Sequence, residues 1–177
     1  MMEVLNLSYT AVDDVGALAA LRRLRCLELN DSLVADIASL AGLTVLEELF
    51  LSATRVAEVR PLAALTALRT LHLSNTLVRD IHALSGLTRL RTLNLNSCAH
   101  VATIDVLSRM AQLEFLFLNE TRVADVSCRA LPSELVGVAS VACGWCGRAC
   151  VCVPAPAQCH GRARARGDVR VSASVSC

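Results

Sequence analysis

Residues 68–89 read LRTLHLSNTLVRDIHALSGLTR, and residues 46–67 read LEELFLSATRVAEVRPLAALTA. Most polar positions differ between the two lines, but the apolar ones coincide. Carried outward, the 22-residue period puts Met2, Leu24, Leu46, Leu68 and Leu90 in one column, and Leu113 joins them after one inserted residue. A second column holds Leu5, Leu27, Leu49, Leu71, Leu93 and Leu116, and a third Leu7, Leu29, Leu51, Leu73, Leu95 and Leu118. Val12, Val34, Val56, Val78, Val101 and Val123 follow, then Val15, Ile37, Val59, Ile81, Ile104 and Val126. Leu18, Leu40, Leu62, Leu84 and Leu107, with Leu21, Leu43, Leu65, Leu87 and Met110, close each unit.

The consensus LxxLxLxxTxVxDVxxLxxLxx changes period within itself. The LxL step is the alternation of a short strand with both leucines on one side, and the later three-residue spacing suits a 3₁₀ turn. A unit this short cannot bury its apolar face alone, so the units must stack into a continuous core. The 177-residue chain is 54% hydrophobic and only 3% aromatic, which fits a core of repeated aliphatic layers. The expected fold is an α/β solenoid with about six parallel strands on its concave face and short turns or 3₁₀ segments on its convex face.

These units resemble leucine-rich repeats of the short kind found in internalins and in SDS22-like regulatory subunits of protein phosphatase 1. The resemblance covers residues 2 to about 127 and implies a horseshoe that binds other proteins. It departs from the family at the turn after each strand, where an asparagine is usual. Here that column reads Thr10, Ser32, Thr54, Thr76, Cys98 and Thr121. Such versions are similar to long protozoan repeat arrays, and a hydroxyl makes fewer bonds than an amide, so a weaker ladder is expected.

Residues 1–135 are assigned to the array and 136–177 to a Cys/Arg/Ala-rich tail expected to be disordered. The first part carries 12 Arg and 15 acidic residues, the second 5 Arg and 1 acidic residue. All 17 basic residues are Arg, which a GC-rich coding bias explains without a functional reason. The array starts at Met2 without a polar cap and loses its pattern after Val126, so a fragment of a longer array is expected. The tail itself could equally be translation past a change of frame.

Cys143, Cys146, Cys150 and Cys159, with His160, form a weaker alternative as zinc ligands, because only one CxxC knuckle is present where structural sites pair two. Leu135 to Val153 reads as an apolar stretch, but Arg148 and glycines interrupt it and argue against a membrane span. Arg166-Gly167-Asp168 matches an integrin-binding tripeptide, short enough to recur by chance. The N-terminus shows no basic flank before an apolar run, so a cytoplasmic location is the default.

Functional candidates lie in the variable columns beside the strand leucines, which this fold turns to solvent. There stand Glu28, Glu48, Phe50, His72, Asn94, Phe115 and Phe117 as candidate partner-binding residues. All three Phe and the one Tyr occur in these columns, where exposed aromatics anchor interfaces. An alternative for Phe115 and Phe117 is that they cover the open end of the sheet. The same columns hold Glu28, Asp31, Glu48 and Glu120 but no Arg, the wrong sign for tracking phosphates, which excludes nucleic acid from this face.

No nucleophile and base share a suggestive spacing, and no phosphate-binding glycine loop is present, so an enzyme is not expected. No cofactor is expected either. The reading is a monomeric scaffold or regulatory module with a protein partner of unknown identity. The alternatives are a structural or non-functional fragment of a longer repeat protein and an SDS22-like phosphatase regulator.

Overall fold

The structure is a computed structural model that describes residues 2–123 and the backbone of three short strands beyond them. Six strands recur once per repeat: β1 Val4–Asn6, β2 Cys26–Glu28, β3 Glu48–Phe50, β4 Thr70–His72, β5 Thr92–Asn94 and β6 Phe115–Phe117. They pair in chain order and in parallel, each LxL leucine opposite its counterpart, as in Leu49↔Leu71 and Leu71↔Leu93. A seventh strand, β7 Gly137–Ala139, continues the sheet in parallel beside β6, just beyond the boundary drawn at residue 135. β8 Ala142–Cys143 and β9 Arg148–Ala149 form a separate antiparallel pair.

Among the described residues, five 3₁₀ turns make the return path: η1 Gly16–Ala20, η2 Ala38–Gly42, η3 Arg60–Ala64, η4 His82–Gly86 and η5 Asp105–Arg109. The aspartate of the consensus starts three of them. Asp14, Asp36 and Asp80 each accept the backbone N–H two residues on, at 2.7–2.8 Å, which closes a local turn before the helix begins.

Between these layers lies one aliphatic core. The middle strand leucines Leu27, Leu49, Leu71, Leu93 and Leu116 are fully buried, as are Leu40, Leu62, Leu84 and Leu107 from the turns. The insertion after Cys98 does not break the stack. The Val101 N–H bonds the Cys98 carbonyl at 3.0 Å, and the Val101 carbonyl still receives the next repeat's Arg122 N–H at 2.9 Å. The equivalent Leu77-to-Val56 bond elsewhere in the array is also 2.9 Å.

The hydroxyl column acts locally. Thr10, Ser32, Thr54, Thr76 and Thr121 each donate to the carbonyl three residues earlier, at 2.6–2.9 Å. Cys98 differs: its Sγ bonds the Leu73 carbonyl of the preceding repeat at 3.0 Å. The ladder between repeats runs two residues earlier. Asn30 Oδ1 accepts the Ser52 N–H at 2.9 Å, Ser74 and Ser52 share a 2.8 Å hydroxyl bond, and Asn96 Oδ1 accepts the Asn119 N–H at 2.8 Å.

Candidate functional site

Strands β2 to β6 are three residues long with the middle leucine fully buried, so the two flanking side chains turn to the open face of the sheet. The register then decides which of them meet. Cys26 stands opposite Glu48, Glu28 opposite Phe50, and Phe50 opposite His72. With strands about 4.8 Å apart, the expected residues Glu28, Glu48, Phe50 and His72 form one patch across β2, β3 and β4. Asn94, Phe115 and Phe117 lie on the same face toward β6, and Phe115 remains 46% exposed. These two groups are separate: β3 and β6 are three strands apart, about 14 Å.

Within the patch, Phe50 and His72 meet edge to face, ring centroids 4.9 Å apart at 78°. Both are half-buried. Burial lowers the His72 pKa below its ordinary value, so the ring stays neutral near pH 7. The bonds of the two carboxylates are to uncharged groups. Glu28 accepts the Asn6 amide of β1 at 2.8 Å, and Glu48 bonds the Cys26 thiol. Burial first, then the charge and hydrogen bond of Glu48 and the charge of Glu28, push that thiol up to about 11. Cys26 is thus held as a protonated, unreactive thiol, by burial first and by the two carboxylates second.

Asn94 spends its side-chain oxygen on the Asn96 N–H at 3.0 Å, so its role includes shaping the loop after β5. β7 stands beyond β6, pairing Gly137 with Phe115 and Ala139 with Phe117, so β6 is not the sheet's last strand. Sequence reasoning left Cys26 and Asn6 out of the patch. The signal was their place in the same columns as Glu48 and Glu28.

Arginines are absent from the patch itself but line one rim. Glu47, just before β3, receives Arg25 at 3.1 Å and Arg69 at 3.4 Å, and Glu114 receives Arg91 at 3.5 Å. Among the described residues no cluster of His, Cys, Asp and Glu could hold a metal ion, and no helix is long and apolar enough to cross a membrane. The side chains of Cys143, Cys146, Cys150 and Cys159, the 135–153 stretch as a whole and the Arg166-Gly167-Asp168 tripeptide lie outside the described residues.

A family model described as leucine-rich repeats in two copies matches residues 66–109. The chain has the leucine-rich-repeat fold. Two internalins of Listeria monocytogenes share this leucine-rich-repeat architecture. With inlF the identity is 28% and the TM-score 0.75, covering 77% of this chain and 40% of that one. With inlC2 the identity is 31% and the TM-score 0.68, covering 76% and 59%. A leucine-rich-repeat protein of Leptospira interrogans, 20% identical with a TM-score of 0.70 over 77% of this chain and 36% of that one, shares the fold alone. The chain spans less than two thirds of each of these structures. No curated protein sequence matches it. Leucine-rich-repeat proteins commonly act as protein-binding scaffolds, and internalin-like ones are typically non-enzymatic.

Proposed function

We propose that this chain is a protein-binding module that uses the concave, strand-lined face of its solenoid, with Phe50 as the anchor and Glu28, Glu48 and His72 around it. The observation that carries this is a part-exposed aromatic ring in mid-array, on a strand flanked by paired strands on both sides. No end effect accounts for it. In an otherwise aromatic-poor chain, such a ring offers the rigid apolar area on which interfaces concentrate their energy. Asn94, Phe115 and Phe117 extend the same face and would enlarge the contact. The SDS22-like form of this reading rests on repeat pattern alone, and no residue of the face argues for a phosphatase in particular.

The test is the affinity of Phe50→Ala for a protein captured by the full chain, measured beside its melting temperature. Affinity should fall by about 1–3 kcal/mol with little change in melting. Unchanged affinity would move the interface off this patch. A collapsed melting temperature would make Phe50 a core residue.

A further inference from the structure

Resting on that reading, we infer that the patch takes a cationic protein segment, with an arginine or lysine whose stem packs on Phe50 and whose charge lies between the carboxylates of Glu28 and Glu48. Three observations on different elements converge here. First, β2 and β3 place both carboxylates around one aromatic side chain, since Glu28 is opposite Phe50 and Glu48 is two residues before it on the same face. That combination supplies an apolar rest for a long stem and two acceptors for its head.

Second, the known bonds of Glu28 and Glu48 go to the Asn6 amide and the Cys26 thiol, both neutral, whereas the neighbouring Glu47 is neutralised by Arg25 and Arg69. Arg25 and Arg69 are thus engaged at Glu47, one residue before the strand, while the Asn6 and Cys26 bonds of Glu28 and Glu48 bring them no cation. Third, their charge is felt locally: both glutamates help to hold the Cys26 proton, and the neutral His72 adds no opposing cation near pH 7. A phosphate-bearing or acidic partner would be repelled by the same arrangement.

A hollow between η1 and η2, lined by Asp13, Asp14, Asp36 and Ser39, is a competing acidic place. It fits a ligand less well, because Asp14 and Asp36 already spend an oxygen on the backbone turns.

The experiment uses the full chain and a fluorescein-labelled hexa-arginine peptide, with hexa-glutamate and a Gly-Ser hexamer as controls, followed by fluorescence anisotropy at low salt. The expected result is saturable binding of hexa-arginine alone. The double variant Glu28→Gln/Glu48→Gln and the single variant Phe50→Ala should each weaken it about five- to tenfold, and Glu58→Gln on the far side should not. The two Gln substitutions keep shape and fold, so they remain informative if Phe50→Ala unfolds. No saturable binding, binding indifferent to the double variant, or an equal loss in Glu58→Gln would overturn the inference. A captured protein partner that needs Phe50 but ignores Glu28, Glu48 and added salt would leave the binding face standing and remove only its cationic preference.

Discussion

The first and fourth repeats carry the same residue in five apolar columns and bury those five differently. In the fourth, Leu71, Leu73, Val78, Leu84 and Leu87 are fully buried. In the first, their counterparts Leu5, Leu7, Val12, Leu18 and Leu21 are only partly buried, while Met2 is 50% and Val4 62% exposed. These five pairs are identical residues, so the difference in their burial comes from having neighbours on two sides or on one. Burial in this molecule belongs to the interface between repeats, as a nearest-neighbour picture of solenoid stability requires.

That comparison is broken most severely by a charge in the core. Leu71→Asp places an unpaired carboxylate among fully buried leucines and should cost about 4 kcal/mol or more, enough to unfold the array. Leu5→Asp, in the same column, has solvent on one side and should cost about 1–2 kcal/mol. Urea denaturation of both variants measures the gap. Equal losses would mean that burial is set within each repeat and not between them.

A milder form of the same contrast uses the hydroxyl column. Thr54 is 5% exposed and donates to the Leu51 carbonyl at 2.7 Å, while the exposed Thr10 makes the same bond to Leu7 at 2.6 Å. Thr54→Val leaves a carbonyl without water or partner and should lose about 1–2 kcal/mol. Thr10→Val, where water replaces the hydroxyl, should lose under about 0.5 kcal/mol. Chemical denaturation in parallel decides whether the buried bond is the costlier one to remove.

The columns of leucine and valine made the strands, their parallel order and the core legible, because periodicity reports directly on which side chains share a face. The patch was legible only as columns. That Glu28, Phe50 and His72 stand side by side depends on a zero-shift register between strands, which repeat arithmetic supplies, but the Phe50–His72 ring contact and the raised pKa of the Cys26 thiol depend on distances it does not supply. The inter-repeat ladder lies two residues before the hydroxyl column expected to carry it, on Asn30, Ser52, Ser74, Asn96 and Asn119. The turn conformation was invisible. Tyr9, Asp31, Ala53, Asn75, Ser97 and Glu120 all adopt φ of 52–60°, and none is the glycine that usually marks this region. The next repeat holds them there: the N–H of Tyr9, Ala53 and Asn75 each reaches a carbonyl one repeat on, at 2.8 Å.

This left-handed column is where the contrast between first and middle repeats should vanish. Backbone strain is a property of the residue's own φ and its Cβ, so it does not depend on how many neighbours the repeat has. A non-glycine residue in this region costs about 1–2 kcal/mol, and glycine returns about 0.5–1 kcal/mol of that through its greater freedom in the unfolded chain. Ala53→Gly in the third repeat should therefore raise stability by about 0.5–1 kcal/mol. Tyr9→Gly in the first should gain a similar amount, because the Tyr9 side chain is 82% exposed and gives up little packing. Asn75→Gly should change almost nothing, since asparagine tolerates the left-handed region well. Melting temperatures of the three variants test the set: a gain at Tyr9 with a loss at Ala53 would show that the alanine methyl packs against its neighbours and that even this position owes its energy to the stack.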